Sequence, residues 1–188
     1  MLPALLVDSR QVLRARYTPL MKALFLSFTL FSFALFAAEL EEATLTKVGQ
    51  AAPQFTIDQI DGTKFDLAKH RGSVVVLNFF ATWCGPCIQE LPVLEKEVWK
   101  QFEKNGVKVL VVGREETVEK IKPFREKHKL TMPFAPDPNK KVYSLYATKF
   151  IPRTYVIDKS GKIAHQSMGY TPEDFKQLIE AVRKATTN

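Results

Sequence analysis

Hydrophobic and polar positions change rhythm several times along the chain. From Ala23 to Ala38 the run ALFLSFTLFSFALFAA carries no charge on any face. A surface helix shows an apolar stripe, and this segment has none. Phe55 to Asp66 alternates around Asp61-Gly62, which predicts a hairpin. Ser73 to Phe80, SVVVLNFF, is nearly continuous and β-branched, as suits a strand buried on both faces. Leu91, Leu94, Val98 and Phe102 then recur at spacings of three and four, predicting a helix that Pro92 should bend and Asn105-Gly106 should end.

Val107 to Val112 is strand-like again. Glu116 to His128 has a helical pattern interrupted by Pro123. Thr131 to Asn139 is rich in proline and reads as a turn region, and Lys140 to Tyr146 as a short helix. Thr154 to Ile157 and Lys162 to Met168 predict two strands joined by Asp158-Lys159-Ser160-Gly161. The last helix starts with Thr171 as N-cap, Pro172 at its first position and Asp174 completing an acidic capping box. Phe175, Leu178, Ile179 and Val182 form its buried stripe. Parallel strands need crossover helices, so this order predicts an α/β fold with helices on both faces and an antiparallel pair at one edge.

Composition leaves this picture intact and narrows the function. The chain has 188 residues, 46% of them apolar and 25% charged, which suits one folded domain plus a tail. Two cysteines are too few for a disulfide scaffold or a four-cysteine zinc site. Nor do His70, His128 and His165 have paired ligand spacing, so neither metal nor cofactor is expected. Of the net charge of +7, residues 1–38 carry +3 through Arg10, Arg14, Arg16 and Lys22 against Asp8. The remaining +4 is spread without aromatic interleaving, and no nucleic-acid partner is expected. No G-x-G-x-x-G or G-x-x-x-x-G-K-[ST] motif occurs, which removes nucleotide enzymes of those types.

The charge also gives the apolar run a meaning. Lys22 precedes it, and Glu39, Glu41 and Glu42 follow. A basic flank, an apolar core and small residues form a secretory signal, with Ser32 and Ala34 suiting cleavage after Ala34 and Ala37-Ala38 as a second place. The alternative is an uncleaved membrane anchor, although sixteen helical residues reach only about 24 Å. Either reading exports the rest of the chain. Met21-Lys22 makes a normal signal start, so residues 1–20 are expected to lie upstream of the true initiator. The expected organisation is a signal or anchor over 1–38, a linker over 39–50 and one domain over 51–188.

The chemistry lies in Trp83-Cys84-Gly85-Pro86-Cys87, between the buried strand and the first long helix. A helix N-terminus favours an anion, so the Cys84 thiolate should be stabilised there. Cys87 follows one helical turn later, within reach of the first sulfur. Pro86 keeps the short loop preorganised. A structural disulfide closing so short a loop would gain little. The spacing therefore predicts a redox-active pair, with Cys84 attacking a substrate disulfide and Cys87 resolving the mixed disulfide.

The stretch SVVVLNFFATWCGPC resembles the active-site strand of the thioredoxin superfamily, and in particular its TlpA-like, membrane-associated or periplasmic thiol-disulfide oxidoreductases. The resemblance extends over about residues 48–186. Val48 to Phe55 is similar to that group's domain start, and Val107 to Pro138 to its strand-helix insertion. Phe150 to Asp158 resembles the loop and strand carrying its cis-proline. The resemblance implies a thioredoxin-like mixed sheet flanked by helices, and a cis Ile151–Pro152 bond facing the cysteines. Ile151 would bind an extended substrate through its main chain. Trp83 would shape an apolar surface beside Cys84.

Asn78 stands where thioredoxins proper carry a buried Asp that assists the second cysteine. An amide is no base, so another group must take the Cys87 proton. The Gly-Pro interior resembles reducing thioredoxins, which implies a reductant of disulfides in secreted or periplasmic proteins, apocytochrome c among them. Such a protein is recharged by a membrane electron donor. The alternative direction is a disulfide-donating oxidant. A thiol peroxidase would need Thr and Pro where Ala81 and Leu77 stand. A non-catalytic binding module would not need CGPC.

Overall fold

The computed structural model describes residues 42–187. The expected signal or anchor over 1–38, and the start of the linker, lie outside the described residues. Strands β1 (Thr56–Asp58) and β2 (Lys64–Asp66) pair antiparallel as a separate hairpin. A five-stranded sheet follows, built from β3 (Val75–Phe80), β4 (Lys108–Arg114), β5 (Phe134–Asp137), β6 (Arg153–Ile157) and β7 (Ile163–Met168). Its order is β5-β4-β3-β6-β7. Strands β3, β4 and β5 run parallel, while β6 and β7 are antiparallel to their neighbours. Among the described residues three α-helices of ten or more residues accompany the sheet: α1 (Gly85–Leu94), α2 (Val118–Lys127) and α3 (Pro172–Thr187).

Pleating divides β3 between two cores. Val76 and Phe80 face the side on which α1 buries Leu91 and Leu94, α2 buries Ile121 and Phe124, and α3 buries Phe175, Leu178 and Val182. Val75, Leu77 and Phe79 face the other side, with Phe55 and Phe65 of the hairpin and Tyr143, Tyr146 and Tyr155. The long helices thus cover one face. The other, where helices were also expected, is closed by the hairpin and a 3₁₀ turn at Tyr143–Leu145.

Four local expectations need correction. The turn region Thr131–Asn139 contains β5, which pairs parallel with β4. Pro136 hides it from a sequence reading, yet β5 is the sheet edge, where a missing N–H is tolerated. The helix expected over Lys140–Tyr146 shrinks to the single 3₁₀ turn. Pro123 does not interrupt α2, whose buried Ile121 and Phe124 hold it against the sheet. Part of the expected linker is docked: Ala43 and Thr46 are buried, Thr44 bridges to Ala147, and the Gly49 N–H donates to the Ile163 carbonyl at 2.7 Å.

Pro92 sits inside α1, and a π-helical turn at Glu95–Trp99 follows it. A residue without an N–H cannot complete the ordinary ladder, and such helices often widen nearby.

Candidate active site

Strand β3 delivers the chain to the site. All six of its residues are buried, so its end is fixed by packing on both faces. A tight turn follows, closed by the Cys84 N–H donating to the Ala81 carbonyl at 3.1 Å. Cys84 is the N-cap of α1, in extended backbone at φ −81° and ψ 109°. Its Sγ accepts the Cys87 N–H at 3.3 Å. Pro86 falls among the first helical positions, where its missing donor costs nothing.

Cys84 and Cys87 form a disulfide, with Cα atoms 5.3 Å apart. Cys87 is wholly buried, Cys84 is 5% exposed, and Trp83 beside it is 68% exposed. The Ile151–Pro152 bond is cis. The Ile151 carbonyl oxygen lies 3.8 Å from Cys84 Sγ. Trp83, Cys84, Gly85, Pro86 and Cys87 are therefore gathered with Ile151 and Pro152 at one place. Ile151 precedes the paired part of β6, which begins at Arg153 opposite Phe79.

Two buried carboxylates complete the surroundings, and sequence reasoning missed both. Glu90 lies on α1, three residues beyond Cys87, and is 2% exposed. Asn78 Nδ2 donates to Glu90 Oε2 at 2.9 Å and to Thr154 Oγ1 at 2.8 Å. The Thr154 hydroxyl donates to Glu90 Oε1 at 2.8 Å. Burial pushes the Glu90 carboxyl up to about 7, although both hydrogen bonds pull the other way. Its signal was a charged residue on the helix face that carries Cys87, Leu91 and Leu94. Thr154 could be found only through the β3–β6 register, which places it opposite Asn78.

Glu116 is the second carboxylate, fully buried after β4. Its Oε1 accepts from the Thr82 N–H at 2.8 Å and the Thr82 hydroxyl at 2.7 Å. The strand-helix segment between β3 and β5 thereby grips the turn that presents Trp83 and Cys84.

Residues 48–166 match the AhpC/TSA family. The chain belongs to the AhpC/TSA family. Its similarity to the thiol-disulfide oxidoreductase ResA of Geobacillus thermodenitrificans is 34% identity over 152 residues, 80% of this chain and 87% of the relative. The solution structure of a candidate protein disulfide isomerase from Bacteroides thetaiotaomicron superposes with a TM-score of 0.75 at 32% identity, covering 78% of this chain and 94% of that one. A thioredoxin-family thiol:disulfide interchange protein from Chlorobium tepidum TLS shares the fold, with a TM-score of 0.64 at 23% identity over 75% and 98% of the two chains. This AhpC/TSA member is a thiol-disulfide oxidoreductase of thioredoxin-like fold.

Proposed function

We propose that the chain reduces disulfides in proteins outside the cytoplasm, with Cys84 attacking and Cys87 resolving. The observation that carries this is the asymmetry of the pair. Cys84 caps a helix, its sulfur faces the Cys87 N–H and the Ile151 carbonyl, and Cys87 is buried beneath it. A thiolate at Cys84 gains from that N–H and from the helix dipole.

In the dithiol state, Cys84 Sγ attacks one substrate sulfur. The substrate S–S bond breaks, a mixed disulfide forms and one substrate thiolate leaves. Cys87 then loses its proton and attacks Cys84 Sγ, releasing the second substrate thiolate. Two electrons pass to the substrate, whose thiolates take protons from solvent according to their pKa, the Cys87 proton returns to solvent from the group that accepted it, and the Cys84–Cys87 disulfide remains. Glu90 is the group we assign to the Cys87 proton. It sits one helical turn away, and a carboxyl titrating at about 7 is suited to exchange a proton at neutral pH. Asn78 and Thr154 orient that carboxyl.

Ile151 presents main chain beside the attacking sulfur, where an extended substrate segment would lie. The apolar run at 23–38 supports export, by a cleaved signal or a retained anchor. Among the described residues no helix is long and apolar enough to cross a membrane. A membrane protein carrying reducing equivalents outward would restore the dithiol. Apocytochrome c belongs to the substrate class through the TlpA-like resemblance.

Trapping tests the assignment of roles. Cys87→Ser is expected to accumulate a mixed disulfide with a protein substrate, seen on a non-reducing gel and reversed by dithiothreitol. Cys84→Ser is expected to form none. Trapping by Cys84→Ser instead would reverse the two roles.

A further inference from the structure

Phe150 stands one residue before Ile151, whose carbonyl touches the attacking sulfur. Its φ is 67°, in the left-handed region. Among the described residues, the other non-glycine positions with positive φ are Glu115, Lys129 and Lys140, all polar. A bulky ring in this region is a steric outlier, and glycine would adopt the same backbone freely. Phe150 is 39% exposed, so its ring is not enclosed by the core.

Several donors hold the loop in this form. The Phe150 carbonyl accepts from the Tyr143 hydroxyl at 2.8 Å and from Arg153 Nε at 3.3 Å. Arg153 Nε also donates to the Lys149 carbonyl at 3.0 Å. The other end of that buried guanidinium is fixed by Thr44 Oγ1 at 2.8 Å and the Ala43 carbonyl at 3.0 Å. Strain maintained in this way beside reacting atoms points to function. A second exposed ring, Trp83, stands one residue before Cys84. Two exposed aromatic residues thus precede, one on each segment, the two residues whose atoms meet.

We propose that Phe150 is a specificity-determining residue. With Trp83 it receives apolar side chains next to the cysteine of a substrate polypeptide, and Arg153 is the positioning residue that keeps it in place. This rests on the reading of the chain as a reductant of protein disulfides. The substrate class it selects is an extended segment whose cysteine has apolar neighbours.

The test uses the full chain, pre-reduced, and two short peptides of equal length joined as disulfide dimers. One has Leu on both sides of its cysteine and the other has Ser. Stopped-flow tryptophan fluorescence gives the second-order rate constant for each. The wild type is expected to prefer the Leu peptide, and Phe150→Gly to lower the ratio of the two rates by about tenfold. Phe150→Leu is expected to restore most of that ratio. The thermal midpoint of Phe150→Gly should be no lower than that of the wild type, since glycine relieves the strained backbone. An unchanged ratio, or a ratio that falls only together with the midpoint, overturns the assignment of Phe150. Failure of the wild type to reduce either peptide overturns the proposed function and this inference with it.

Discussion

Burial deprives Glu90 of water, and the hydrogen bonds from Thr154 and Asn78 do not restore what it loses, so the carboxyl stays protonated up to about pH 7. In the unfolded chain it would ionise near 4.5. A raised folded pKa stabilises the fold fully below the unfolded value, and the contribution disappears as pH rises through the folded one. Glu90 therefore favours folding at pH 4, and that contribution is lost by pH 8, a swing of about 3 kcal/mol. Glu90→Gln has no proton to lose. Denaturant titrations at a series of pH values should show the wild type losing stability relative to Glu90→Gln across this interval. Parallel pH profiles would contradict the assignment. Cys84 and Cys87 were legible because their spacing and their place before a helix pattern are local. Glu90 was not, because its partners Asn78 and Thr154 come together only through the pairing of β3 with β6.

Elements position the site by gripping one another. The turn between β3 and α1 is held from outside by Glu116, which follows β4. Gly113 makes room for that residue. A Cβ at position 113 would meet Ile121 Cδ1 at 2.7 Å and Glu116 Cβ at 2.9 Å. Ile121 Cδ1 is the tip of a wholly buried side chain and Glu116 Cβ is fixed to the backbone, so β4 or α2 must shift. Gly113→Ala is expected to cost about 1–3 kcal/mol in denaturant unfolding and to slow disulfide reduction as Thr82 loses its hold. Unchanged stability and rate would show that the insertion does not support the active-site turn. Most elements were readable from periodicity, since β3, β4, α1 and α3 carry strong patterns. Strand β5 was hidden because Pro133 and Pro136 resemble a turn, and only a free sheet edge admits Pro136. Residues 43–50 read as linker because their partners, Ala147, Arg153 and Ile163, lie about a hundred residues away in sequence.

The whole molecule puts one disulfide at the end of a buried strand, with most of its sulfur surface inside the core. The helix N-terminus favours a thiolate at Cys84, whereas burial favours neutral forms at Cys87 and Glu90. Which redox state prevails at equilibrium decides whether the protein gives electrons or takes them. The Gly-Pro interior of the motif resembles that of reducing thioredoxins, and the proposed role as a donor of electrons requires a couple of matching potential. The reduction potential of the Cys84–Cys87 couple tests this most directly. Equilibrating the chain in graded thiol–disulfide buffers and following tryptophan fluorescence, with Trp83 adjoining Cys84, would measure it. The account predicts a value near or below about −250 mV, as in reducing thioredoxins. A value near about −120 mV would contradict it and make the protein a donor of disulfides.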